Sequence, residues 1–389
     1  MNSPDKTRTL PFGAYYYPTV LLAIIGLADS IYLSISHYRV YTDIGYKSFC
    51  ALTRAINCDT VSQSPYSIFL DLPVPLWGGI GYAFLLVCLL GAGSRDAAKS
   101  RLWALIFWIS LAFSAYSVVL ALISTYLIGS YCIMCIALYA VNLALLFYSW
   151  IIRRRFSAPG IIADTREDIR YLRQKAGASV AVAVVFSITI IGAWISLPAY
   201  WEFQPPQLSD HIAQGMTPSG HPWIGATRPV LEIVEYADYQ CFQCRKMHFF
   251  LRQLVADNPD NIRIVHRNYP MDHRFNPIVK EPFHNGSGKM ALLANYAAKQ
   301  GKFWQMNDVL YRMAGSKKNI HVDAVAAELD LDRRALAGAL KSRRLRYQLQ
   351  KDIFSGNKLG ISGTPAYVID GKLYLGQIPA EVLQSAMRR

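Results

Sequence analysis

Charge is what this sequence has least of. Only 17% of its 389 residues are charged, against roughly a quarter in an ordinary soluble chain, while 53% are hydrophobic. Mean hydropathy is accordingly positive, at +0.19. This excludes disorder and argues against a purely water-soluble globule. Acidic residues are scarcer than basic ones, 26 against 40, for a net charge of +14. The excess is +4 over residues 1–224 and +10 over 225–389, and no basic run interleaved with aromatics suggests a nucleic-acid groove. Eight histidines include no H-x3-H pair, so no metal is expected. Seven cysteines are too few to staple a chain of this length, so their chemistry is sought elsewhere.

What the sequence has instead is long apolar runs. Five of them, at residues 15–36, 75–93, 102–122, 131–152 and 177–197, are each close to the roughly 20 residues that cross the hydrocarbon of a bilayer as a helix. The first stands where a signal peptide would, but it is too long for a typical signal core, contains Asp29 and lacks an A-x-A site, so a retained helix is expected. If the five alternate, the N-terminus, residues 94–101 and residues 153–176 share one side and hold 12 Lys and Arg. The opposite loops, 37–74 and 123–130, hold three. The positive side is the cytoplasmic one, which predicts a cytoplasmic N-terminus and an extracytoplasmic region after Pro198.

Six cysteines pair by spacing: Cys50 with Cys58, Cys132 with Cys135, and Cys241 with Cys244. In this topology the first pair lies in the large outer loop, the second at the outer end of helix four and the third in the outer domain, all on the oxidising side. Cys132 and Cys135 share a helix face, and the loop of Cys50 and Cys58 is long enough to fold back over it, an arrangement that permits a disulfide relay by thiolate attack. Two unrelated structural bridges are the alternative. Cys88, in V-C-L-L-G, reads as a small buried apolar residue. Asp29 is costly in lipid and is either a proton-handling group or the partner of a hydrogen bond from Ser30, Ser34 or another helix.

Residues 153–176 are expected to form a cytoplasmic linker and 199–224, rich in Pro, an outer one. Beyond them PVLEIVEYADY reads as a strand, CRKMHFFLRQLVADN as a helix and IRIVHRNYP as a second strand, followed by several helices over 285–355. TPAYVID and KLYLG close the chain as a hairpin through Asp370-Gly371. That order is a thioredoxin-type α/β sheet with a helical insertion, over 225–389. Cys241 falls where the first strand meets its helix, so backbone N–H groups and the helix dipole favour its thiolate, and Cys244 is placed to resolve a mixed disulfide. A structural disulfide or half a zinc site would use the same spacing, but no second ligand pair occurs in this domain.

Residues 221–389 resemble the DsbA-like branch of the thioredoxin superfamily, through WIGATRPVLEIVEYADYQCFQCRKMH and GISGTPAYVI. The resemblance implies that Pro365 is cis and lies beside the active disulfide; the Phe242-Gln243 dipeptide departs from the usual Pro-Tyr or Pro-His. Residues 12–152 resemble the vitamin K epoxide reductase family, a four-helix membrane core, through Cys50-x7-Cys58, CDTVSQSPYSIFLDLPVPLWG and CIMCIALY. With the fused domain, the chain is similar to the bacterial form, which sits in the cytoplasmic membrane, oxidises a thioredoxin-like partner and reduces a quinone of the ubiquinone, menaquinone or phylloquinone type. By that resemblance Cys135 faces the quinone, Cys132 receives electrons from Cys58 and Cys50 meets the partner thiol. Ser64 matches a loop serine near the quinone and Tyr139 an aromatic at its pocket. Tyr66 and Trp77 are further pocket candidates, or members of an aromatic interface belt. Asp71 stands where the family often has Gly before the apolar residue and Pro.

The expected function is disulfide formation in exported proteins, with reduced exported proteins and the membrane quinone pool as partners. A quinone epoxide reductase using the same site, or a membrane-anchored isomerase or holdase, are the alternatives.

Overall fold

The computed structural model describes residues 10–53, 55–93, 101–156, 160–203, 212–314 and 321–387. The chain divides into two compact units, Met1–Tyr200 and Trp201–Arg389.

Among its described residues the first unit contains five helices long and apolar enough to cross a membrane, which makes this a membrane protein: α1 (Gly13–Thr42), α3 (Val74–Ala92), α4 (Trp103–Ile123, continued as a π turn to Ile128), α5 (Ile133–Phe156) and α7 (Ala176–Ser196). Between α1 and α3 lie the short helix α2 (Cys58–Ser62), a 3-10 turn at Pro65–Ser67 and a two-stranded hairpin of β1 (Ile68–Phe69) and β2 (Leu72–Pro73). α1 runs beyond its apolar stretch because Ser36, His37, Val40 and Tyr41 are themselves buried, against protein rather than lipid. Four helices form a bundle, with α1 on α3 and α5, and α4 on α5 and α3. Its interior is apolar, with Leu85, Ile106, Leu145 and Ile152 fully enclosed and Cys88 among them. Small residues let the helices approach: a Cβ on Gly26 would lie 2.3 Å from the Tyr82 ring. A polar knot ties three helices together. The Tyr82 hydroxyl donates to Asn142 Oδ1 at 2.6 Å, Asn142 Nδ2 donates to Ser117 Oγ at 2.9 Å, and Ser114 Oγ donates to the Asn142 carbonyl at 3.1 Å.

Residues 153–176 are not a linker. They contain a helix, α6 (Ile161–Gln174), packed on α4. Its high charge mimics a solvated tether, yet Asp164 and Asp168 are buried, and Arg153 donates to Asp164 at 3.3 Å. Asp168 accepts from the backbone N–H groups of Leu102 at 2.7 Å and of Ala104 and Leu105 at 3.0 Å, satisfying the first turn of α4 with a carboxylate from another helix. By contrast α7 has no buried residue; its contacts include Phe186 against Phe84 and the Trp194 indole on the Leu70 carbonyl.

The second unit is built on a six-stranded sheet of order β3-β4-β6-β5-β7-β8. The strands are β3 (Gln214–Met216), β4 (Pro222–Gly225), β5 (Leu231–Ala237), β6 (Ile262–Asn268), β7 (Ala366–Ile369) and β8 (Lys372–Leu375). β5 and β6 are parallel, joined by the crossover helix α8 (Phe242–Asp257), and the other pairs are antiparallel. Helices α9 (Ser287–Lys299), α10 (Phe303–Ala314), α11 (Val322–Glu328), α12 (Arg333–Ala339) and α13 (Arg343–Lys358) are inserted between β6 and β7, and α14 (Ala380–Met387) follows the sheet. The expected hairpin turns at Asp370-Gly371, both with positive φ. This is the sheet-plus-helix thioredoxin-like architecture with a helical insertion. The outer linker is shorter than expected, since β3 and β4 fall within 199–224. Strands of three and four residues carry no readable period, and it is pairing, of β4 with β6 and of β3 with β4, that makes them strands.

Replacing Asp168 with Ala leaves three buried N–H groups without their acceptor. Purified Asp168→Ala protein is expected to lose about 2 kcal/mol of stability, read as a lowered unfolding midpoint in detergent.

Candidate active site

The membrane unit gathers its four paired cysteines. Cys50 and Cys58 form a disulfide with Cα atoms 5.7 Å apart, and both pack with Cys132 and Leu33 in one buried cluster that Cys135 adjoins. The loop is brought there by backbone pairing. Asn57 N–H donates to the Tyr131 carbonyl at 2.9 Å and Tyr131 N–H donates to the Ala55 carbonyl at 2.8 Å, a parallel bridge one residue before Cys132. Asn57 then caps α2 by accepting from Thr60 N–H at 3.1 Å, fixing Cys58 at the helix start. Cys132 and Cys135 are free thiols, with Cys135 N–H directed at Cys132 Sγ at 3.2 Å.

Two cavities meet at Cys135. The larger, of about 180 Å³, has a lining that includes Trp77, Tyr82, Phe113, Tyr116, Tyr139 and Asn142. The smaller, of about 70 Å³, reaches the outer loop at His37, Ser64, Tyr66 and Ser67, and shares Leu33, Val74, Pro75, Leu120, Cys135 and Tyr139 with the first. Ser64, Tyr66, Tyr139 and Trp77 therefore all border this space. Aromatic walls with a few polar groups suit a flat apolar ring carrying carbonyl oxygens, as a quinone head does. Tyr82, Tyr116, Asn142 and His37 are not among the residues expected at the site. His37 Nδ1 lies 2.8 Å from the Tyr200 hydroxyl and Nε2 3.1 Å from Ser67 Oγ, which holds the 3-10 turn against α1. His37 and Asn142 sit in polar breaks of otherwise apolar helices, the one signal available. Asp71 is the second turn residue of the β1–β2 hairpin, with φ +55°, a conformation that Gly adopts freely and Asp tolerates better than most. The expected hydroxyl partners of Asp29 are elsewhere engaged or unpaired: Ser34 Oγ donates to the Ser30 carbonyl at 2.8 Å and Ser30 Oγ has no partner.

In the second unit Cys241 is the N-cap of α8, its sulfur 3.3 Å from Cys244 N–H, while Cys244 is buried with Asp238 N–H at 3.5 Å. The Thr364–Pro365 bond is cis, and the Thr364 carbonyl oxygen stands 3.3 Å from Cys241 Sγ. Two buried carboxylates surround the pair. Asp238 accepts from Gln240 N–H at 2.6 Å, Ser287 Oγ at 2.9 Å and Met271 N–H, fixing the turn into Cys241, with His284 Nδ1 at 3.1 Å. Glu235, on the same inward face of β5 as Leu231 and Ile233, sits 2.7 Å from His266 Nδ1. A Glu in phase with core residues was the sequence signal for it. The hydrogen bond from the Cys244 thiol, together with that from Cys244 N–H, pulls the Cys241 thiol below its ordinary range, and burial pushes Cys244 well above it. This polarity suits Cys241 to act as nucleophile and leaving group and Cys244 as the protonated resolving thiol.

The vitamin K epoxide reductase family model matches residues 17–150 and a thioredoxin model residues 217–389. Among curated proteins, the chain is 28% identical over 165 residues to "Na(+)/H(+) antiporter NhaA 1" of Salinispora arenicola, covering 42% of this chain and 24% of that protein. It is 26% identical over 232 residues to the "Na(+)/H(+) antiporter NhaA" of Herminiimonas arsenicoxydans, covering 59% and 34%. The chain thus spans about a quarter to a third of the length of these relatives. Among solved structures, a thioredoxin-like oxidoreductase from Silicibacter pomeroyi aligns at 26% identity, TM-score 0.36, over 44% of this chain and 92% of that one. The thiol-disulfide exchange protein alpha-DsbA2 from Wolbachia pipientis aligns at 21% identity, TM-score 0.34, over 43% and 86%.

Since the Cys244 thiol makes the largest contribution to lowering Cys241, Cys244→Ala is expected to move the pH midpoint of Cys241 alkylation upward. Iodoacetamide rates measured from pH 5 to 10, against a free-thiol midpoint of about 8.5, check this.

Proposed function

We propose that this chain, a vitamin K epoxide reductase family domain joined to a thioredoxin domain, is a membrane thiol–disulfide oxidoreductase that introduces disulfides into exported proteins and passes the electrons to a membrane quinone. The burial of Cys50, Cys58 and Cys132 in one cluster, with Cys135 opening onto the cavities, is the observation that carries it. A substrate thiolate attacks Cys241 of the oxidised outer domain and Cys244 leaves, giving a substrate–Cys241 mixed disulfide; a second substrate thiolate then attacks the substrate sulfur of that bond and Cys241 leaves as the stabilised thiolate, so that substrate and domain exchange one disulfide for two thiols. The reduced domain then attacks Cys50. Cys58, released, attacks the oxidised Cys132–Cys135 pair at Cys132 and Cys135 leaves beside the cavities; Cys244 then displaces Cys50 from Cys241 and Cys50 displaces Cys132 from Cys58, so that the outer domain and the loop pair end oxidised and the helix pair reduced. Each exchange breaks one S–S bond and forms one, with two electrons moved and no net redox change. A quinone held by the walls around Trp77, Tyr139, Ser64 and Tyr66 supplies an acceptor for two electrons and two protons. Tethering the two domains raises the effective concentration of the donor thiol, to about the millimolar range for a linker that spans the sites.

The orientation follows from the 12 basic residues on one side against three on the other: N-terminus in the cytoplasm, Cys50–Cys58 and the thioredoxin domain outside. A bacterial cytoplasmic membrane is the setting this reading implies.

Full-length protein reconstituted with a short-chain quinone is expected to oxidise a reduced peptide continuously. Cys135→Ala should abolish that turnover while leaving a single stoichiometric oxidation by Cys241–Cys244; unchanged turnover would show the relay to be wrong. In a Cys244→Ala, Cys58→Ala protein, a Cys241–Cys50 mixed disulfide should accumulate on non-reducing gels, and its absence would break the proposed link between the two domains.

A further inference from the structure

Along one side of α1 stand Gly26, Asp29, Ser30, Leu33 and His37, at the three- and four-residue spacings that keep them on a common face. Two contacts fix where this face points. At Gly26 it meets the Tyr82 ring of α3. At Leu33 it joins the cluster of Cys50, Cys58 and Cys132. Asp29 lies between, 9% exposed within the protein, and its Oδ1 is buried without a hydrogen-bond partner among the described residues. Tyr82, Cys132 and Cys135 are the titratable groups near it, and its neighbour Ser30 lines the larger cavity together with Tyr82 and Cys135.

The contrast with the other buried carboxyls of this unit is informative. Asp168 holds three backbone N–H groups and Asp164 holds Arg153, so each has an evident structural task. Asp164 keeps one oxygen unpaired as Asp29 does, but Asp29 has no hydrogen-bonded or ionic partner among the described residues, in a membrane helix where an ionisable group is expensive to keep. Oxidation of Cys132 and Cys135 must release protons at this very place.

We infer that Asp29 is the proton carrier of the membrane thiol site, taking the proton shed by Cys135 and returning it to the acceptor in the adjoining cavity. The inference rests on the quinone reading above. In the complete step Cys132 and Cys135 give up two electrons and two protons and form one S–S bond, a quinone gains both and becomes a quinol, and Asp29 ends in the state in which it began. The titratable groups that face Asp29 are Tyr82 from α3 and Cys132 and Cys135 at the start of α5. The Tyr82 hydroxyl donates its hydrogen bond to Asn142 Oδ1 and so is not directed at Asp29, which leaves the Asp29 carboxylate to accept.

The test uses full-length protein in lipid nanodiscs. Quinone-coupled turnover of Asp29→Asn is expected to fall about a hundredfold and that of Asp29→Glu to recover most of the loss. The second readout needs no quinone: infrared difference spectra of chemical oxidation of the reduced pair should show a carboxyl band that shifts when the wild-type chain carries isotope-labelled aspartate and disappears in Asp29→Asn. Turnover of Asp29→Asn within twofold of wild type, or a difference spectrum without a labelled carboxyl band in the wild type, overturns the proposal even if the variant folds poorly. Wild-type protein that exchanges thiols but reduces no quinone overturns the quinone reading, and the proton carrier with it.

Discussion

The two hydrogen bonds between residues 55–57 and Tyr131 are the hinge on which the membrane site depends. A thiol relay needs sulfurs within bonding distance, and these sulfurs come from a polar loop and a membrane helix more than 70 residues apart in the chain. Backbone pairing solves this in a way that side-chain contacts do not, because its spacing is set by the peptide group and tolerates sequence change on either strand. From that bridge the rest follows locally. Asn57 caps α2, α2 carries Cys58, the disulfide draws in Cys50, and the chain beyond α2 is left to close the cavity through Ser64, Tyr66 and Ser67.

The two units use one chemical device in two settings. In each, a C-x-x-C pair stands at a helix start, with the second cysteine's N–H pointing at the first sulfur. In the thioredoxin-like unit the surroundings are polar and buried: Asp238 and Glu235 lie close by, and the first thiol is drawn toward its charged form while the second is held neutral. In the membrane unit the surroundings are apolar, with aromatic walls in place of carboxylates and Asp29 as the acidic group on the face of α1 beside the thiols. The difference suits one pair to exchange with proteins in water and the other to a partner dissolved in lipid.

Much of this was legible from residue order alone. Five apolar stretches announce themselves because 20 residues of lipid-facing helix leave no room for ambiguity, and Asp370-Gly371 announces a hairpin because so few dipeptides accept two positive φ angles. The paired cysteines marked both thiol sites. What stayed hidden depends on partners remote in the chain. α6 reads as a charged tether until Leu102, Ala104 and Leu105 supply the N–H groups that Asp168 receives; β3 and β4 are too short to show a period without β6; and Asn142 looks like an interruption of α5 until Tyr82 and Ser117 are placed beside it. Asp71, which departs from a family preference for Gly, is explained by one backbone angle.

The fifth membrane helix buries none of its residues. Its 21 residues rise about 31 Å, enough for the hydrocarbon layer and little more. Beyond contacts such as Phe186 on Phe84 and Trp194 on the Leu70 carbonyl, such a segment is held by the solvent around it, so substitutions that keep its length and hydropathy should disturb it less than they would the four-helix core.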